Sequence, residues 1–243
     1  ASVVRVFSMK FHKMINVYKN VYAFITPSEF LKKKLSLNGF EEKRIHCIPT
    51  FTASKTTIGE QQIGSYGLYF GRVTEEKGVE TVIKAYEKLP EYTVKIMGDD
   101  TTDEAKRLKK YVENHKMKNV EFLGFKSGEE LENVIKGARF TLIPSIWYDN
   151  LPNTALESFQ YSKPVIASNI GSLPELVIDG ENGYLFKPSN VEDLIKKIKM
   201  LDDDTLVKKM GQASRKRLES RFAPQTHYEE LMKIFNEAVK SRK

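Results

Sequence analysis

From residue 65 onward the chain repeats one unit: a short apolar run, a polar turn, then about ten residues with helical spacing. Tyr66–Phe70 precedes a helix over Gly78–Leu89, and Tyr92–Met97 precedes one over Asp103–His115. Val120–Leu123 leads to Glu129–Lys136, and Phe140–Pro144 to Pro152–Tyr161. Pro164–Ser168 is followed by a helical turn near Pro174–Val177, and Tyr184–Phe186 by Val191–Leu201. Strands separated by helices of this length are joined by crossovers and lie parallel. The fold class expected is therefore α/β, a doubly wound Rossmann-like parallel sheet.

The flanks differ. Val21–Thr26 and Arg44–Ile48 read as two further strands, with a helix started by Pro27 and Ser28 between them and closed at Asn38-Gly39. The polar, aperiodic stretch that follows places a linker at 56–64. Two helices split near Ala223-Pro224 close the chain. The expected divisions are 1–55, the linker 56–64, a main domain 65–222 and a last helix in 223–243.

Charge separates the same parts. The 243 residues carry a net charge of +7, and the whole excess lies in the first 55, with 10 Lys/Arg against 3 Asp/Glu. Such a segment could face an anionic membrane surface. Aromatic residues there alternate with aliphatics as in a core, so no nucleic-acid partner is expected. One cysteine, Cys47, allows no disulfide within the chain and fits a cytoplasmic setting. No apolar run approaches the ~20 residues that cross a bilayer, and no leader pattern stands at Ala1–Val6. Any membrane association expected is peripheral, at the inner surface.

Ligands of an open parallel sheet bind beyond the carboxyl ends of its strands. After Tyr66–Phe70 come Gly71, Arg72 and, six residues on from Gly71, Lys77. Two cations beside a helix start suit a diphosphate; the alternative is ordinary surface charge. The densest signal is Pro144-Ser145-Ile146-Trp147-Tyr148-Asp149-Asn150-Leu151-Pro152-Asn153-Thr154-Ala155-Leu156-Glu157. It predicts a loop entering a helix, with Asn150 near the cap and Pro152 in the first turn. The first-turn amides of residues 152–154 then face outward for phosphate or sugar oxygens. Asp149 and Glu157 can flank the same cleft, and a carboxylate accepts two sugar hydroxyls at once. The bland alternative makes Asp149 a helix cap and Glu157 a structural acid. A third loop, Ala167–Glu175, repeats the strand, glycine turn and helix start. Neither G-x-G-x-x-G after the first strand nor G-x-x-x-x-G-K-[ST] occurs, which argues against NAD-type dehydrogenases and P-loop enzymes. No metal-binding cluster is visible.

Four stretches, YFGRVTEEKGVETVIKAY, VEFLGF, PSIWYDNLPNTALESFQYSKPVIASNIGSLPELV and DGENGYLF, arrive in the order and separations of one family. Over about residues 65–200 the chain resembles the retaining glycosyltransferases of family 4, which have the GT-B fold. Residues 20–50 more loosely resemble the end of that family's N-terminal domain. The resemblance implies that 65–222 is the C-terminal, sugar-nucleotide donor-binding half. It makes 1–55 a partial N-terminal, acceptor-side domain, and the last helix one that crosses back to it. It also implies roles: Arg72 and Lys77 grip the donor diphosphate beside Gly71. Asp149 contacts the transferred sugar, Asn153 and Thr154 meet sugar and phosphate oxygens, Glu157 holds the ribose, and Phe125 lies near the base. The sequence departs from the family at Asp149, where Glu is usual, at Leu151-Pro152 for Phe-Gly, at Ser172 for a second glycine, and after Met97-Gly98.

The activity so implied is transfer of a hexose from a UDP- or GDP-sugar to a glycan or lipid-linked acceptor hydroxyl, with no metal or other cofactor. The rivals are a non-catalytic sugar-nucleotide-binding module and a same-fold sugar-nucleotide epimerase.

Overall fold

The computed structural model describes residues 62–241 and, of the first 52, all but 1–4, 6, 9, 10, 13 and 16. Most of the expected linker, 56–61, lies outside the described residues, and 62–64 carry no regular structure.

Two sheets are present among the described residues. Near the N-terminus, β1 (Phe24–Thr26) pairs in parallel with β2 (Ile45–Cys47), with α1 (Glu29–Leu37) between them. Ser28 starts α1 as the sequence suggests, its hydroxyl accepting from the Leu31 amide at 3.2 Å.

The main unit is a six-stranded, wholly parallel sheet. In chain order it contains β3 (Tyr66–Phe70), α2 (Val79–Glu87), β4 (Thr93–Met97), α3 (Asp103–Asn114), β5 (Val120–Gly124) and α4 (Gly128–Lys136). Then come β6 (Ala138–Ile143), α5 (Asn153–Gln160), β7 (Val165–Ser168), the short α6 (Leu173–Leu176), β8 (Gly183–Phe186) and α7 (Val191–Lys199). The spatial order is β5-β4-β3-β6-β7-β8. The chain thus builds outward from β3 in one direction, crosses over, and builds outward from β6 in the other. This is the doubly wound α/β arrangement expected.

Both faces of the sheet are covered. Tyr69, Phe140, Leu142 and Ile166 point into a core that includes α2, α3 and α7. On the other face, Leu68 and Phe70 pack with Ile135 of α4 and with Tyr161. Ile143, Val165 and Ala167 pack with α5, α6 and Leu218 of α8 (Asp204–Arg221). Neighbouring strand residues therefore bury on opposite faces, which is why these strands read as continuous apolar runs.

The last helix, α9 (Pro224–Lys240), reaches the N-terminal segment. His227 donates from Nδ1 to the Pro49 carbonyl at 2.7 Å, and its ring lies 4.8 Å from that of Phe51. Several boundaries differ from expectation by one to three residues, β1 starting at Phe24 and not Val21, and two of them have a local cause. β6 starts at Ala138, because Gly137 keeps a helical conformation and hands the chain straight to the strand. α5 starts at Asn153, one residue later than expected, for a reason given below.

The entry to the main sheet is fastened by one buried cation. Lys163 is 1% exposed, and its ammonium donates to the carbonyls of Gln62, Lys136 and Ala138 at 2.6, 2.6 and 2.7 Å. All three N–H groups are used, which compensates the burial of the charge. Lys163→Met should leave three carbonyls without that donor and cost about 2–4 kcal/mol. Urea unfolding of the variant measures this, and an unchanged midpoint would contradict it.

Candidate functional site

The strand order reverses between β3 and β6, and the loops that follow these two strands part company there. A crevice opens between them at the carboxyl end of the sheet. Each loop is built by local sequence. After β3, Glu75–Lys77 form a short 3-10 turn, and Gly78 takes φ +68° before α2. A Cβ at Gly78 would fall 2.1 Å from the Pro144 carbonyl oxygen. Only glycine lets the loop after β3 lie against the loop after β6. The Ile146 amide donates to the Glu76 carbonyl at 3.0 Å and ties the two together.

The cleft so formed measures about 230 Å3. Gly71, Arg72, Lys77, Asp149, Asn153 and Thr154 all line it, together with Tyr69, Ser145 and Asn150. Six of the eight residues singled out in the sequence therefore converge on one space. Lys77 and Asp149, 72 positions apart, form an ion pair: the ammonium lies 2.5 Å from Asp149 Oδ1. Both side chains are about four-fifths buried, so the pair is shielded from solvent more than a surface one. The Ser145 hydroxyl donates to Oδ2 of the same carboxylate. A lysine has three N–H donors, so Lys77 keeps two for another anion. Arg72 stays 73% exposed at its side chain, only 3.9 Å from Glu76. The Tyr69 hydroxyl supports this loop by donating to the Arg72 carbonyl at 2.5 Å.

The helix start differs from expectation. Leu151 adopts φ +56°, turning the chain so that Pro152 becomes the cap residue and Asn153 the first helical one. Pro152 has no N–H, so the amides available at this helix start are those of Asn153 and Thr154, not three from 152–154. Asn150 is not the cap either: its Oδ1 accepts from the Ser28 hydroxyl at 2.8 Å, reaching the N-terminal segment. Asp149 likewise caps nothing, since its carboxylate is taken by Lys77 and Ser145.

Glu157 and Phe125 do not line this cleft. Glu157 stands one turn beyond Asn153 on α5, half-buried, with no hydrogen bond or ion pair among the described residues. Burial raises its carboxyl above the ordinary range. Phe125 is 73% exposed just beyond β5. It sits on the same carboxyl edge, two strands from β3, or roughly 10 Å by strand spacing.

Sequence reasoning missed the supporting residues. Ser145, Ser172 and Ser28 hold the loop 145–152 from three sides. Glu175 accepts from the Glu29 and Phe30 amides at 2.8 and 2.6 Å, placing its carboxylate on the N-terminus of α1. The only signal for these was their place in strand-end loops; small hydroxyls leave no periodicity.

A doubly wound sheet with an anion-accepting cleft at its reversal point defines a nucleotide-binding class of α/β protein. Residues 57–217 match the family model described as glycosyl transferases group 1, and the chain belongs to that family. An uncharacterised glycosyltransferase of Methanocaldococcus jannaschii is 32% identical over 149 residues, which is 61% of this chain and 41% of that protein. The chain therefore aligns with about two fifths of that relative's length. The fold resembles that of a glycosyltransferase from Rickettsia africae, with TM-score 0.83 and 21% identity over 93% of this chain and 66% of that one. It also resembles Anabaena HepE, solved in complex with UDP-glucose, with TM-score 0.79 and 19% identity over 93% and 66% of the two chains.

The raised carboxyl of Glu157 gives a pH signature. A folded-state value above the unfolded one means the folded chain binds the proton more tightly, so stability is lost as pH rises through that window. Glu157→Gln removes the penalty. Its urea midpoint should exceed that of the wild type at pH 7, with a smaller gain at pH 4. Equal gains at both values would show that burial of the charge is not the cause.

Proposed function

We propose that the cleft binds the donor of a retaining glycosyl transfer, in which a hexose passes from a UDP- or GDP-sugar to an acceptor hydroxyl on a glycan or lipid-linked molecule. One observation carries this reading. Arg72, Lys77, the first amides of α5 and the Asp149 carboxylate converge on a single space at the strand-order reversal. The first three suit a diphosphate, and the last suits sugar hydroxyls. The likeness in fold to HepE, whose structure holds UDP-glucose, is consistent with it.

The chemistry follows from charge. As the bond from sugar to diphosphate breaks, negative charge grows on the leaving group. Fixed donors that face that charge lower the barrier most. Arg72 supplies a mobile planar fork and Lys77 a held point charge. Asp149 keeps the lysine in place and leaves two of its N–H groups for phosphate oxygens. Beyond the diphosphate, Glu157 takes the ribose hydroxyls and Phe125 the face of the base. Two cations and a helix start replace a divalent ion, so turnover should be metal-independent. The acceptor enters from the side of the N-terminal segment. Its excess positive charge favours an acceptor held at an anionic membrane, on the cytoplasmic face; nucleic acid is not a partner in this reading. Among the described residues no helix is long and apolar enough to cross a membrane.

A second reading, a binding module without transfer, draws on Asp149, whose two oxygens are already engaged. Donor hydrolysis that disappears in Asp149→Ala would exclude it.

Calorimetric titration with UDP and GDP tests the donor site. One nucleotide should bind saturably, with Arg72→Ala and Glu157→Ala each weakening it about tenfold, the scale of one charged hydrogen bond. Binding of neither nucleotide would refute the site. Excess chelator should leave turnover unchanged; activity abolished by chelator and restored by magnesium would refute metal independence.

A further inference from the structure

Resting on the donor reading above, we infer that Ser172 is a positioning residue that sets the aim of Asp149. Ser172 is fully buried and stands across from the loop that carries the carboxylate. Its hydroxyl donates to the Asp149 carbonyl at 2.7 Å and accepts from the Leu151 amide at 2.7 Å. Its own amide donates to the Asp149 carbonyl at 3.3 Å. One side chain therefore grips the backbone on both sides of Asn150.

The loop needs this grip. Leu151 lies at φ +56°, a conformation that a branched apolar side chain rarely adopts and that persists only where the surroundings enforce it. Gly171, at φ +61°, allows the closest approach: a Cβ there would come 3.0 Å from the Asp149 carbonyl oxygen. The two loops thus meet backbone to backbone, and Ser172 is the side chain that locks them.

The lock matters for chemistry because Asp149 is short. A glutamate can search for its partner along one more methylene, whereas an aspartate depends on where its backbone stands. The sequence carries the shorter acid at Asp149 and, beside Gly171, a serine at 172 in place of a second glycine. Ser172 supplies the hydroxyl that glycine lacks and fixes the backbone on which the shorter acid relies. Its effect reaches Lys77 through the ion pair. Ser172 touches no ligand in this scheme; it acts through Asp149.

The test has two arms. In Ser172→Ala, hydrogen exchange at the Leu151 amide should quicken about tenfold or more, while the amides of β7 keep their wild-type rates. Unchanged exchange at Leu151, or equal acceleration in β7, would overturn the proposal. The second arm is a double-mutant cycle on calorimetric affinity for UDP and GDP, which stays measurable where turnover is lost. Ser172→Ala should weaken binding about tenfold in the wild-type background, through the Asp149–Lys77 pair, and have no further effect in Asp149→Ala. An equal fall in both backgrounds would show a structural role alone and overturn it. Should the wild type bind neither UDP nor GDP, the donor reading fails by itself, and the exchange arm still decides whether Ser172 holds the loop.

Discussion

The reversal of strand order between β3 and β6 is the constraint from which the rest follows. A parallel strand must be followed by a crossover, and each crossover here packs on one face of the sheet. After β3 the chain leaves to the face of α2, and after β6 to the opposite face of α5. Adjacent strands thus send their loops apart, and a crevice opens that no side chain has to carve. Whatever residues end β3 and β6 must line it. Arg72, Lys77 and Asp149 are placed by topology before any of them makes a contact.

Electrostatics then refines what topology supplies. Lys77 and Asp149 come from the two diverging loops and close their base as an ion pair. Ser145 occupies the second carboxylate oxygen. A partly buried pair of this kind offers weak evidence of stability, since desolvation offsets much of the attraction. Its value is positional: it holds a flexible lysine in one place at the base of the cleft. Glu157 is the contrasting case. Half-buried and without a hydrogen bond or ion pair among the described residues, its carboxyl is raised by desolvation.

The alternation of apolar runs and helical segments made the sheet legible, because buried parallel strands and their covering helices have different lengths and periods. The charged residues of the cleft were legible because they follow strand ends. The Lys77–Asp149 contact was not, since it joins residues 72 positions apart through a glycine contact that sequence does not announce. The start of α5 was misread for a local reason. Pro152 suits a first turn, but Leu151 at positive φ moves it back to the cap; the missing amide at 152 is proline's own, wherever the helix starts. In the sequence Ser172 is only a departure from glycine, and its two hydrogen bonds exist only once the loop at 149–151 has closed on it.

The N-terminal segment bears directly on the loop that lines the cleft. Ser28 bonds Asn150, Phe30 lies 5.1 Å from the Tyr148 ring, and Glu175 takes the first amides of α1. The Lys34 ammonium sits 5.0 Å from the centre of the same Tyr148 ring. Arg217 of α8 donates to the Glu175 carbonyl from behind. The N-terminal segment is therefore fastened to the loop that carries Asp149. Any shift of α1 pulls on Asn150, the residue next to Asp149, and on Glu175, three positions beyond Ser172. The placement of the N-terminal segment against the cleft is consequently set by these contacts, which meet on the loop that carries Asp149.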